Sequence, residues 1–289
     1  MTTDKPILVI GSHRSGSTWI GKMISSAKGV VYLSEPFNPK TGLKIFTDWF
    51  TYISEKNQDK YLSEIKKLLK FRGGYRLNLP ALKYWATGFM LGEKRPLLKD
   101  PIASLSADWL AKNFNLEVLV IIRHPVAFYA SLKRVNWRFD FENFLKQKDL
   151  MADYLFAFAD EMKKPDKSFA EEAGLLWLYL NYVLDKFIQK NPDWVVKRHE
   201  DISLNPLVEF KDIYQKFSLE FTPEIEQVIK IYSSDKNPID VSSDKSLVLE
   251  RDSRSLIKNW KKHISEEEIS TIKKITSPVA DKYYQESDW

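Results

Sequence analysis

The sequence predicts an α/β fold of three layers, with a central parallel sheet flanked by helices and helical insertions over the strand ends. Three observations lead there. Short β-branched, apolar runs recur along the chain at 7–10, 30–33, 96–98, 117–122 and 194–196. Helical patterns at 18–27, 103–113, 126–134, 171–188 and 207–217 separate them. Strands alternating with helices build a parallel sheet covered on both faces. Two aromatic segments, 40–95 and 137–170, interrupt the alternation, and insertions of that kind shape clefts over strand ends.

Each element has a local cause. The first strand, Ile-Leu-Val-Ile, stops at Gly11, where the chain can turn sharply. Helix 18–27 follows a run of small residues, and Gly29 precedes the second strand. In 40–95 the aromatic residues Trp49, Phe50, Tyr52, Tyr61, Tyr75, Tyr84 and Trp85 sit in a mostly helical pattern with a turn at Arg72-Gly73-Gly74. Pro125 suits the first turn of helix 126–134, because its missing N–H is not needed there. No repeat, low-complexity tract or Pro/Gly/Ser linker divides the 289 residues, so one domain spanning 1–289 is expected.

Composition narrows the function. The absence of cysteine rules out disulfides and thiolate-bound zinc. The four histidines, His13, His124, His199 and His263, are scattered without metal-ligand spacing, so no metal is expected. A net charge of +5 with lysines alternating among acids does not resemble a basic nucleic-acid face. The N-terminus lacks a signal-peptide core, and the longest apolar stretch, near Ala173–Leu184, is too short and contains Asn181. A cytoplasmic protein without a transmembrane segment is expected.

The first strand leads into Gly-Ser-His-Arg-Ser-Gly-Ser-Thr-Trp, residues 11–19. Glycine spacing and a following helix fit a loop whose backbone amides hold phosphate. The Walker lysine position holds Ser17, followed by Thr18. Arg14, inside the same loop, offers a planar cationic fork. Amides, the Ser15, Ser17 and Thr18 hydroxyls and one guanidinium suit a single phosphate better than a magnesium-bound triphosphate. A second anion site is expected where the strand 117–122 ends at Arg123, with Ser131 on the following helix.

These residues resemble the sulfotransferases that use 3′-phosphoadenosine 5′-phosphosulfate (PAPS). The R-S-G-S-T-W loop is similar to the family segment that grips the 5′-phosphosulfate, and R-x-P-x-x-x-x-x-S to the one that grips the 3′-phosphate. The resemblance implies a P-loop-like fold and cofactor contacts from Arg14, Ser15, Gly16, Ser17, Thr18, Trp19, Arg123 and Ser131. Further similar blocks are VVYLSEPFNP, LLKDP, VKRHEDISLNPLVEFKDIYQKFSL and RDSRSLIKNWKKHIS, so the likeness spans nearly the whole chain outside the two aromatic insertions. Three departures stand out. Arg14 replaces the lysine of cytosolic members, which leans toward the carbohydrate-type, bacterial branch. Ser253 stands at the arginine position of the C-terminal pattern relative to Trp260, leaving Arg251 and Arg254 as substitutes. No membrane anchor like that of the Golgi enzymes is expected.

The expected reaction moves a sulfuryl group from PAPS, without metal, to a hydroxyl of an acceptor, a carbohydrate or glycan by the E-P segment and aromatic insertions. Glu35 is the expected general base; its place before Pro36 predicts extended backbone that projects the carboxylate into the cleft. Arg14 and Lys99 are expected to stabilise the transferring group. Asp100 reads as a helix cap, His13 and His124 as loop residues bonded to backbone, Glu200 and Asp201 as loop-orienting residues, and Trp19 as packing. Two other classes fit parts of the pattern: a P-loop nucleotide kinase-like phosphotransferase and a non-catalytic nucleotide-binding module.

Overall fold

The computed structural model describes residues 5–70, 94–234, 257 and 259–289. Among these residues, five parallel strands form one sheet: β1 (Ile7–Gly11), β2 (Val30–Ser34), β3 (Arg95–Lys99), β4 (Glu117–Ile122) and β5 (Val195–Arg198). Their order is β2-β3-β1-β4-β5. All five expected strands are present, with β5 displaced toward Arg198. β1 is central, pairing Ile7 with both Leu97 and Glu117. The chain goes to one side of β1 for β2 and β3 and to the other for β4, so the direction of winding reverses at the tips of β1 and β4. Ligands bind at that reversal in open parallel sheets.

The sheet is buried on both faces, as the continuous apolar runs predict. Leu8, Ile10, Leu98, Val118, Val120 and Ile122 face one core; Ile7, Val9, Leu97, Leu119 and Ile121 face the other. Helix α1 (Ser17–Ile24) packs in the second core. It ends three residues before the expected boundary, where Ser25 and Ser26 turn their hydroxyls onto the Lys22 carbonyl. In the first insertion the described residues form one helix, α2 (Asp59–Leu69); 40–58 are turns and irregular chain rather than the expected helix, and 71–93 lie outside the described residues. The chain after β3 begins as a 3-10 turn, Pro101–Ser106, before α3 (Ala107–Phe114).

Helix α4 (Pro125–Arg134) starts on Pro125, with the His124 ring accepting from the Val126 amide at 3.3 Å. The second insertion is a set of short helical turns, including a π-turn at Met151–Leu155. The longest helix among the described residues, α5 (Phe169–Lys190), opens on a reciprocal Ser168–Glu171 capping box. α6 (His199–Leu204), α7 (Pro206–Lys216) and α8 (Pro223–Tyr232) follow, then α9 (Glu266–Ala280), which packs against α5 and α4. α6, α8 and α9 are additional to the expected helices. Among the described residues, no helix is long and apolar enough to cross a membrane.

Candidate active site

Gly11 must be glycine. It pairs with Ile121 in the sheet, has φ 147°, and a methyl group on it would stand 2.2 Å from the Ile121 carbonyl oxygen. Released there, the chain turns through a Ser15 N–H to Ser12 carbonyl bond of 3.1 Å. Arg14 and Gly16 adopt positive φ, 65° and 83°, turning the loop over the tip of the sheet. The first intrahelical bond of α1 runs from Ile20 to the Gly16 carbonyl. The amides of Ser17, Thr18 and Trp19 thus lie in the unpaired first turn, and no side chain caps them. Partial positive charge is concentrated at this helix end.

The structure joins the two expected anion sites. Arg14 Nε donates to Ser131 Oγ at 3.0 Å, and Arg123 Nη1 donates to the Arg14 carbonyl. The second segment therefore supports the first loop while standing beside it. Burial, opposed by Glu200 and aided by Arg14, lowers the Arg123 pKa to about 10, so the guanidinium remains charged at neutral pH. Its Nε is buried without a partner among the described residues.

Other polar atoms around the loop are similarly orphaned. Ser12 Oγ, Ser15 Oγ, Trp19 Nε1 and His199 Nδ1 are buried without hydrogen-bond partners among the described residues. Buried polar atoms left unpaired are costly. Their collection around an uncapped helix end and two guanidinium groups fits a polyanionic nucleotide. Gly16 leaves the necessary space, because a methyl group there would come within 2.5 Å of His199 Nδ1. His199, one of the scattered histidines of the sequence, follows β5 directly, and that place at a strand end is the signal that marks it. Trp19 packs edge-on to Phe210, at 5.4 Å between centroids, in agreement with the packing expectation.

Across the tips of β2 and β3, Lys99 is 2% exposed and its Nζ lies 2.5 Å from Glu35 Oε1. Asn38 Nδ2 holds the other carboxylate oxygen at 2.9 Å. Burial raises the Glu35 pKa, but Lys99, Asn38 and Arg14 outweigh it, leaving the carboxyl below its ordinary value. The expected extended conformation does not occur: Glu35 has φ 50°. Tertiary bonds override the proline effect here. Glu35 N–H donates to the Lys99 carbonyl, and two residues later Asp100 Oδ2 takes the Phe37 amide at 2.6 Å, turning the chain over the strand tips.

Asp100 also caps the turn after Pro101, accepting from Ile102 and Ala103 as expected. Burial, against the pull of the Phe37 amide, pushes its pKa up to about 7. Glu200 accepts from the His124 amide and the Tyr284 hydroxyl, while Asp201 forms a two-pronged pair with Arg198; both orient loops below the site.

The histidines divide. His124 bonds backbone through its ring, as expected, and stacks on Trp260 at 5.2 Å. His13 does not. Its ring is enclosed by Phe50, Phe128 and Trp137 at 5.4, 5.1 and 4.4 Å, and both nitrogens are buried without partners among the described residues. Packing in an aromatic cage has displaced the expected loop hydrogen bond. Trp49 meets Trp137 edge-on at 5.9 Å, and neither indole is fully buried. Arg251 and Arg254 lie outside the described residues. Among the described residues, no cluster of His, Cys, Asp or Glu has the arrangement to hold a metal ion.

Burial holds the pKa values of His13, His124 and His199 near 3; neighbouring cations add to the effect, and Asp288 opposes it at His124. An unfolded histidine titrates near 6.5. Between these values the unfolded chain binds more protons at the three rings, so their contribution is full above about pH 6.5 and is lost as pH drops toward about 3, while the raised carboxyls of Asp100 and Glu200 act in the opposite sense. Thermal melts across this interval should show a shallower acid decline in His13→Phe than in the wild type. An unchanged slope in His13→Phe would contradict the burial of that ring.

No protein-family profile and no curated protein matches the chain. Solved structures do. The sulfotransferase domain from the curacin biosynthetic pathway is 15% identical, with TM-score 0.50, over 96% of this chain and 98% of its own. Mouse sulfotransferase SULT7A1, solved with PAP, is 12% identical, with TM-score 0.50, over 96% of this chain and 85% of its own. With its five-stranded parallel sheet and the loop at the tip of β1, this chain has the P-loop-like fold of those sulfotransferases.

Proposed function

We propose that this chain is a sulfotransferase that transfers a sulfuryl group from PAPS to a hydroxyl of an acceptor, a carbohydrate by preference. The observation that carries the reading is the linked anion cradle: an uncapped helix end, Arg14 bonded to Ser131, Arg123 bonded to the Arg14 carbonyl, and unpaired buried polar atoms around them. Arg14, Ser15, Gly16, Ser17, Thr18 and Trp19 hold the 5′ end of the nucleotide, and Arg123 with Ser131 hold its 3′-phosphate. Arg251 or Arg254 adds a C-terminal contact.

PAPS supplies an activated sulfuryl group on its 5′-phosphate. As the S–O bond to that phosphate breaks, a new S–O bond forms to the acceptor oxygen, and the 5′-phosphate leaves with the electron pair. The loop amides and Arg14 stabilise the negative charge gathering on the leaving oxygen. Glu35 takes the acceptor proton, and Lys99 stabilises the sulfuryl oxygens. Fixed donors and a fixed base align the two reactants, which is where most of the rate gain arises.

The chain from Glu35 to Phe50 supports the acceptor reading. It leaves the strand tip at the base and returns where Trp49 and Phe50 meet Trp137 and His13. Partly open indole rings suit the flat C–H face of a pyranose. The test is transfer of labelled sulfate from PAPS to 4-nitrophenyl β-D-glucopyranoside, with hexanol as the linear control. Label on the sugar is expected. Label on hexanol alone would set aside the ring acceptor, and phosphoryl transfer from ATP in place of sulfate would set aside the reaction.

A further inference from the structure

Lys99 is a buried ammonium with three hydrogen-bond donors, and among the described residues one acceptor meets it, Glu35 Oε1 at 2.5 Å. Its stem is fixed. Lys99 pairs with Val9 in β1 and with Ser34 in β2, and a methyl group on Gly21 of α1 would stand 3.1 Å from its Cγ. Arg14 of the loop acts on the carboxylate that this ammonium meets, and Lys22 of α1 feels the Lys99 charge, so the pair borders the loop that follows β1. We propose that Lys99 exchanges partners during the reaction, leaving Glu35 for the anionic donor, so that the base is released only after the donor has bound.

This inference rests on the sulfotransferase reading above. In the free protein, Lys99 holds the Glu35 carboxylate in place and makes it a weak proton acceptor. An anion arriving beside α1 competes for the same ammonium and satisfies its unused donors. The groups around Glu35 set the direction of the result. Lys99, Asn38 and Arg14 stabilise its ionised form, while burial opposes them. Asp100 stands close enough for Glu35 to raise its pKa, and Lys22 on α1 is close enough to Lys99 to feel its charge. Loss of Lys99 to the donor therefore makes the carboxylate more basic when an acceptor proton has to be removed. It also keeps the base restrained before the donor arrives.

The experiment is an NMR titration of the Glu35 side-chain carboxyl in the full-length protein, free and saturated with PAPS without acceptor, in wild type and Lys99→Met. The wild-type midpoint should move upward on PAPS saturation. In Lys99→Met it should already be raised, and PAPS should move it far less. The wild-type protein also decides through Lys99 itself. Its 13Cε resonance should follow the Glu35 titration in the free protein and cease to follow it with PAPS bound. Bound PAPS that leaves the wild-type midpoint in place, an equal movement in Lys99→Met, or continued tracking by Lys99 would overturn the exchange. Failure of PAPS to bind would instead overturn the functional reading on which it rests.

Discussion

Glu35→Gln should reduce single-turnover sulfate transfer by about two to four orders of magnitude, the usual range for loss of a general base. The substitution keeps side-chain shape and a hydrogen-bond acceptor for Lys99, but removes the charge that takes the proton. PAP affinity should change little, since the carboxylate is not proposed to touch the nucleotide. Glu35→Asp should keep part of the activity if reach is the main requirement. Some stability should be lost in the glutamine variant, because Lys99 is buried and loses its counter-charge; a thermal melt run beside the kinetics separates this effect. Undiminished transfer by Glu35→Gln would exclude the residue as base. Lost PAP binding in a folded Glu35→Gln variant would mean that Glu35 orders the loop instead.

Arg123→Ala should weaken PAP binding by about 1.5–3 kcal/mol, the range for a hydrogen bond to a charged group, or roughly 10- to 150-fold. Adenosine 5′-phosphosulfate, which lacks the 3′-phosphate, should lose much less. The comparison is necessary because Arg123 also donates to the Arg14 carbonyl and so supports the loop beneath both nucleotides. An equal loss for the two nucleotides would reduce Arg123 to that supporting role. Ser131→Ala should act in the same direction more weakly, since Ser131 accepts from Arg14 and carries no charge.

Parallel strands are legible in this chain because they are buried on both faces and read as unbroken apolar runs. The loop after β1 is legible for a related reason: a strand must end in small residues before a helix can present its first amides. Glu35 shows where local rules stop. Its neighbour Pro36 favours extended backbone, but Asp100, distant in sequence, captures the Phe37 amide and turns the chain. His13 looked like a loop histidine because nothing local reveals the cage formed by Phe50, Phe128 and Trp137. His199 was hidden by its acidic neighbours Glu200 and Asp201. Helix α9 is a different case, since Ser265 and Glu268 form a capping box, a start signal that the sequence itself carries.

Calorimetric titration of the purified protein with PAP, in the absence of magnesium, tests the central claim most directly. Two linked cationic sites should select a nucleotide carrying both 5′- and 3′-phosphates, without the metal that a triphosphate requires. The predicted result is saturable binding of PAP at one site, with ATP binding far more weakly whether or not magnesium is added. Binding of ATP as tight as that of PAP, and dependent on magnesium, would contradict the account.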